Sequence, residues 1–252
     1  MTPDWTSLDR ELSRWQDDGL ILPIWWRDDD AIAPTPQLDR LIELSERLAL
    51  PAHLAIVARD ATPALAARLA HVDTLVPVVH GWVHENHAGT GDKKAEFGTH
   101  RPIDDVLEDA ENALNRLRDL LGDRLRPMFV PPWNRIDPDV EPWLAGLGYS
   151  ALSTFTPRRR AKAAPGLWQI NTHLDPIDWK GSRGLVAPTL LLSQLVTQLA
   201  ARRKGHADVA EPYGILTHHL VQDDATWGFC EDVMRRLLDG PGRAWVFDER
   251  II

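Results

Sequence analysis

Cysteine is almost absent from this 252-residue chain, with Cys230 standing alone. No intrachain disulfide can form, and nothing implies an oxidising compartment. Positive charge is also short: 28 Lys and Arg face 37 Asp and Glu, leaving a formal net charge of −9. That balance argues against nucleic acid or a membrane as partner, since both need a broad positive field. No apolar run approaches the ~20 residues that cross a bilayer. The opening MTPDWTSLDRELSRWQDDG has neither the basic start nor the apolar stretch of a secretion signal, so the expected location is cytoplasmic. No Gly-rich fingerprint follows the first apolar run, which counts against a dinucleotide fold. No GxSxG elbow offers a serine nucleophile, and Cys230 lies in a helical pattern with no base near it in sequence.

What is present fits a globular protein with a sizeable core: 44% hydrophobic and 26% charged residues, and 11 tryptophans suited to packing or to stacking on ring-shaped ligands. Short apolar runs alternate with helical patterns. Strands are expected at Ile21–Arg27, Ala52–Val57, Leu75–His80, Pro127–Pro131, Ala151–Thr154, Leu167–Ile170, Tyr213–Thr217 and Ala244–Phe247. Helices are expected after Thr35-Pro36 and Thr62-Pro63, where a capping hydroxyl precedes proline, and over Asp104–Leu121, Glu141–Gly146, Pro188–Arg203 and Asp223–Leu238. Residues 85–102 and the basic stretch 156–166 read as loops. The expected fold is α/β, a distorted (β/α)7–8 barrel of mostly parallel strands, as a single domain over residues 1–252.

In such barrels reactive groups gather where strands end. Asp28, Asp29 and Asp30 follow the first strand, and His80, the segment PPWNR (131–135) and the segment THH (217–219) follow others. In VVHGWVHENH, a helical turn after the strand would set His80 and His84 on one face, able to share a metal ion, with His87 available to join. Zinc in catalytic sites takes three protein ligands and a water, so one carboxylate of the DDD run is the natural third donor. A second could take a proton from that water. The plainer alternative is a solvated acidic turn. His218 or His219 could protonate a leaving group, oriented by Asp175 or Asp178 in DPIDWKG. The prolines before Trp133 and Asn134 could aim a backbone N–H at an oxyanion.

Taken in order over about residues 20–220, these segments resemble the five motifs of the polysaccharide deacetylase superfamily, carbohydrate esterase family 4 and its chitooligosaccharide deacetylase relatives. WRDDDA resembles the first motif, making Asp29 the base and Asp30 a metal ligand; a register of Asp28 and Asp29 ranks second. His80-Gly-Trp-Val-His84 resembles the His-(Ser/Thr)-x-x-His motif, with glycine in place of the hydroxyl residue. VPPWN resembles the third, with Trp133 supplying the oxyanion N–H and Val130 where the motif has arginine; Arg27 or Arg135 could substitute. DPIDWKG resembles the fourth, placing Asp178 and Trp179 near the acid. LTH resembles the fifth, making His218 the general acid, with His219 where aspartate is common. The resemblance implies a divalent metal, zinc first, and hydrolysis of N-acetyl groups on an amino sugar or related carbohydrate by water activated at the metal. Hydrolysis of another non-peptide C–N bond, in a ureide or imide, is the alternative. A non-catalytic carbohydrate-binding relative is the second alternative.

Overall fold

The computed structural model describes residues 3–248. The N-terminal stretch, read above only for a signal, folds as α1 (Thr6–Asp17), burying Leu8, Leu12 and Trp15 along one stripe. Then follow β1 (Leu22–Ala31), α2 (Pro36–Leu48), β2 (Ala52–Ile56), α3 (Pro63–Leu69), β3 (Leu75–Val79), α4 (Ile103–Leu121), β4 (Met128–Phe129), α5 (Glu141–Leu144) and β5 (Ala151–Leu152). The remainder holds β6 (Lys162–Ala164), β7 (Leu167–Gln169), β8 (Thr172–Leu174), α6 (Pro188–Arg203), β9 (Tyr213–Thr217), α7 (Asp224–Asp239) and β10 (Gly242–Ala244). Thr35 and Thr62 cap α2 and α3 as expected, each hydroxyl accepting a backbone N–H, at 3.0 Å from Leu38 and 3.2 Å from Leu65.

The strands form one sheet in the order β6-β7-β5-β4-β3-β2-β1-β9-β8, with β10 beside β1. All pairings are parallel except β6 with β7. The ladder is not closed, in keeping with the expected distorted barrel. Its two ends are nonetheless tied by chain continuity: β7 runs through Ile170 and Asn171 into β8, and Thr172 bridges Phe155. The last strand is displaced from its expected place, because Gly242–Ala244 pair with Leu22–Ile24 and the residues after them leave the sheet.

Alternation along β1 divides the core. Trp26 packs outward among the helix-facing Leu54, Ile56, Val79 and Leu152, while Trp25 packs inward with Ala55, Val78, Met128, Val130, Ala151 and Ile170. Phe247 plugs this inner cluster, fully buried, and Trp245 packs edge-on against Trp25 at 6.1 Å. His53 sits in the same plug. Its Nδ1 lies 3.1 Å from the Trp26 carbonyl and its Nε2 accepts the Phe247 N–H at 3.0 Å. An imidazole that donates at one nitrogen and accepts at the other is neutral, and burial together with the nearby Arg126 and Arg27 charges depresses its pKa to about 4.

The unfolded chain therefore binds a proton at this position between about pH 6.5 and pH 4 that the folded chain does not. The contribution of His53 to stability is present above that window and is lost as pH falls through it, up to roughly 3 kcal/mol. Denaturant unfolding from pH 7.5 to 4.5 should give a smaller stability loss in His53→Gln than in the parent. Equal slopes would contradict the assignment.

Candidate active site

Three acids end β1, and each has a different partner. Alternation puts Arg27 and Asp29 on the inner face with Trp25, and Asp28 on the outer face with Trp26. Asp28 is engaged by the end of β9: its carboxylate accepts Thr217 Oγ1 at 2.5 Å and the His219 N–H at 3.0 Å, and lies 2.5 Å from His219 Nδ1. Burial lowers the His219 pKa, but the Asp28 charge and hydrogen bond outweigh it and the net shift is upward.

Asp29 faces the fully buried Arg27 guanidinium, which donates from Nε and Nη2 to its two oxygens, both at 2.9 Å. Such fork geometry fixes a carboxylate in one plane. The remaining guanidinium hydrogens reach Ser153 Oγ at 2.7 Å and Asn134 Oδ1 at 2.6 Å. Breaking one partner of a buried pair like this costs about 3–5 kcal/mol. Of the two arginines proposed to stand in for the motif residue at Val130, Arg27 is the one at Asp29; Arg135 donates to the Lys94 carbonyl.

Asp30 joins the inner side although a regular strand would turn it outward. Its φ of 77° is left-handed, a conformation aspartate tolerates better than most residues, and the β1–β2 register shifts between Asp28 and Ala31. Strand β1 thus runs through the acids rather than stopping at Arg27 as expected, and the irregularity is what lets neighbours converge. Asp30 Oδ1 lies 3.0 Å from His80 Nε2 and 3.3 Å from His84 Nε2.

The two histidines meet without the helical turn expected from their spacing. Residues 80–84 form an irregular loop in which Gly81 and His84 both have φ of 57°. Buried Glu96 organises it, accepting the Val83 N–H at 2.7 Å and the Trp82 N–H at 3.3 Å. Burial raises the Glu96 pKa, with these N–H groups and His80 opposing. A Cβ on residue 81 would collide with Glu96 Oε2 and lie 2.6 Å from Pro132 Cδ. Glycine here is a packing requirement, because Glu96 and Pro132 fill the space a side chain would take. No local sequence signal marked Glu96, because it comes from the polar stretch that read only as a loop.

The donor set fits a divalent cation. His80 Nδ1 faces the Val130 carbonyl at 3.0 Å, which can only accept, so Nδ1 carries the hydrogen and the lone pair of a neutral ring points at Asp30. A lone pair and a carboxylate that face one another need a proton or a metal between them. One ligand atom from each of Asp30, His80 and His84 lies within 4.8 Å of the others. Burial raises the Asp30 pKa, but the His80 hydrogen bond and the charges of His80, His218 and His84 carry it well below the usual range. His80 is pulled down by burial and raised overall by Asp29 and Asp30, whereas His84 is lowered by burial and by His80. His87 does not join them; its ring faces Arg101 at 3.4 Å.

Trp133 has φ of 55° in the turn after Pro131-Pro132, and its ring centroid is 4.3 Å from that of His84. His218 Nε2 is 4.0 Å from Asp29 Oδ2, across the site from the histidine pair. Trp179 meets the His218 ring edge-on at 4.7 Å, and its indole N–H donates to Asp175 at 2.7 Å. Asp175 has its pKa raised by burial, with the His218 charge opposing. Asp178 accepts the Gly181 and Ser182 N–H groups of its own turn at 3.0 and 3.2 Å. Of the two acids in DPIDWKG, Asp175 is the one joined through Trp179 to the His218 ring. The sequence alone could not rank them.

No protein-family model matches the sequence, and no curated protein matches it. Solved structures do match the fold. A family 4 carbohydrate esterase from Streptomyces lividans, in complex with acetate, superposes with a TM-score of 0.54 at 13% identity, covering 90% of this chain and 94% of that one. A family 4 esterase from Streptococcus mutans gives 0.57 at 12% identity, over 91% and 87%. A peptidoglycan deacetylase from Bacillus subtilis gives 0.53 at 14% identity, over 89% and 87%. The chain has the fold of the family 4 carbohydrate esterases.

Replacing Gly81 by serine restores the residue type common in the motif, yet here it should harm. A side chain at this φ, against Glu96 and Pro132, should destabilise the fold by about 1–3 kcal/mol, measured by denaturant unfolding. Unchanged stability in Gly81→Ser would contradict this reading of the loop.

Proposed function

We propose that this protein is a divalent-metal-dependent hydrolase that removes N-acetyl groups from an amino sugar or related small carbohydrate. The observation that carries the reading is the Arg27–Asp29 pair set beside the Asp30, His80 and His84 donors, with the imidazole of His218 4.0 Å from Asp29. A pairing of this kind fits a base and an acid on either side of one scissile bond. The fold shared with the deacetylases supports the same reading.

In this mechanism Asp30, His80 and His84 hold the cation, zinc being the first choice for two imidazoles and one carboxylate. When bound, it polarises the acyl oxygen and makes water more acidic. Asp29 accepts the proton of the attacking water, its two oxygens held in plane by Arg27 and, through Arg27, tied to Ser153 and Asn134. The strained Trp133 turn presents its backbone N–H to the developing oxyanion. His218 gives a proton to the departing amine, positioned by the Trp179 edge and in the field of Asp175. Asp178 shapes the turn that carries Trp179 and touches no reacting group in this scheme. A cytoplasmic location and small soluble substrates belong to the same proposal, and Cys230 is buried and free. Among the described residues, no helix is long and apolar enough to cross a membrane.

Purified protein should contain zinc in near-stoichiometric amount and release acetate from N-acetylated sugars. Asp29→Asn should lower the rate by about 10²–10⁴-fold with the metal retained, and His80→Ala should lose metal and activity together. Activity in metal-free protein would overturn the mechanism. Amine release from cyclic imides or ureides, with none from N-acetyl sugars, would favour the alternative substrate class. A metal-free protein that binds sugars without hydrolysing them would favour the binding relative.

A further inference from the structure

The basic stretch at 156–166 has no part in the chemistry above. In a chain of net charge −9, Arg158, Arg159, Arg160 and Lys162 fall within five positions with no acid among them. The three arginines line an open cleft of about 290 Å³ together with Glu141 and with Thr154 and Asn171, here called its floor. The floor is fixed: Asn171 Oδ1 accepts the Thr154 N–H at 2.9 Å and its hydroxyl at 3.0 Å, while Asn171 Nδ2 donates to the Thr156 carbonyl at 2.8 Å.

The backbone beneath the cleft is tied to the site. Arg27 Nη1 lies 3.4 Å from the Thr154 carbonyl, and the same buried guanidinium holds Asp29. One guanidinium thus separates the Thr154 carbonyl from the Asp29 carboxylate.

The three arginines are not equivalent. Arg158 is matched by Asp208, at 2.7 Å, and anchored on the Gln169 carbonyl at 2.9 Å, so it forms a fixed wall. Arg160 stands 3.7 Å from Glu141, whose carboxyl pKa is raised by burial. Arg159 is exposed and, among the described residues, has no ionic partner. One uncompensated guanidinium over a fixed polar floor, in an otherwise acidic protein, suits a group of opposite charge.

We infer that the cleft binds an anionic substituent, phosphate or carboxylate, on the same amino sugar whose acyl group is hydrolysed beside Asp29. The inference rests on the hydrolase reading above and specifies its substrate class. Arg159 supplies the charge-assisted hydrogen bonds, Thr154 and Asn171 shape the floor, and neutral amino sugars lose this contact.

The test compares N-acetylglucosamine with its 6-phosphate and with N-acetylmuramic acid at low salt, alongside calorimetric titration with inorganic phosphate and with acetate. An anionic sugar should exceed the neutral one in kcat/KM by roughly tenfold, the value of one charged hydrogen bond. Arg159→Gln should remove that ratio through KM, Arg159→Lys should retain part of it, and added salt should shrink it. The two anionic sugars distinguish a phosphate from a carboxylate preference. A ratio near one in the parent, or a ratio unchanged in Arg159→Gln, would overturn the anion site while leaving the hydrolase reading intact. Phosphate binding that Arg159→Gln abolishes, with no hydrolysis of any sugar, would keep the cleft as an anion site and overturn the hydrolase reading instead.

Discussion

Three adjacent carboxylates at a strand end cannot stay ionised together in a mostly buried place unless each is given its own compensation. The structure solves this by sending them to three partners. Asp28 goes outward to Thr217 and His219, Asp29 inward to Arg27, and Asp30 across to His80 and His84. Alternation along β1 separates the first two at no conformational cost. The third requires the left-handed backbone at Asp30 and the register shift beside it. The geometry of the candidate site follows from this sorting: a carboxylate held in plane by a guanidinium stands next to one that faces two imidazoles.

The same inner face links the candidate site to residues 245–247. Arg27, Asp29 and Trp25 share one side of β1, and Trp25 rests on the plug built from His53, Trp245 and Phe247. The plug supports the bottom of the strand whose top carries Asp29 and Asp30. A neutral His53 is part of that support, since its two ring nitrogens join the Trp26 carbonyl to the Phe247 N–H.

Much of this was legible in the sequence, for physical reasons that can be named. Period-2 and period-3.6 patterns and the Thr-Pro caps located most elements, and polar residues at strand ends located the site. The family resemblance pointed to Asp30, His80 and His84, which the fold brings together. What the sequence could not show were features made by backbone irregularity and by long-range burial. A helical turn was the simplest way to join His80 to His84, but Gly81 and Glu96 make an irregular loop do it, and Glu96 lies 12 or more positions away in a stretch with no pattern. The choice of Arg27 over Arg135, and of Asp175 over Asp178, depends on which side chain faces inward across the sheet, which spacing in sequence does not encode. The N-terminal helix α1 and the short strands β6 and β8 were likewise not anticipated.

In the proposed centre Asp30, His80 and His84 share one cation, with Asp29 outside the ligand set and paired to Arg27. Crystals soaked in zinc, with anomalous diffraction recorded at the zinc edge, test this directly. The account predicts a single strong peak about 2.0–2.2 Å from an Asp30 oxygen and from the Nε2 atoms of His80 and His84, with Asp29 still paired to Arg27. A peak held by Asp28 or Asp29 in place of Asp30, or no peak at this site under saturating zinc, would contradict it.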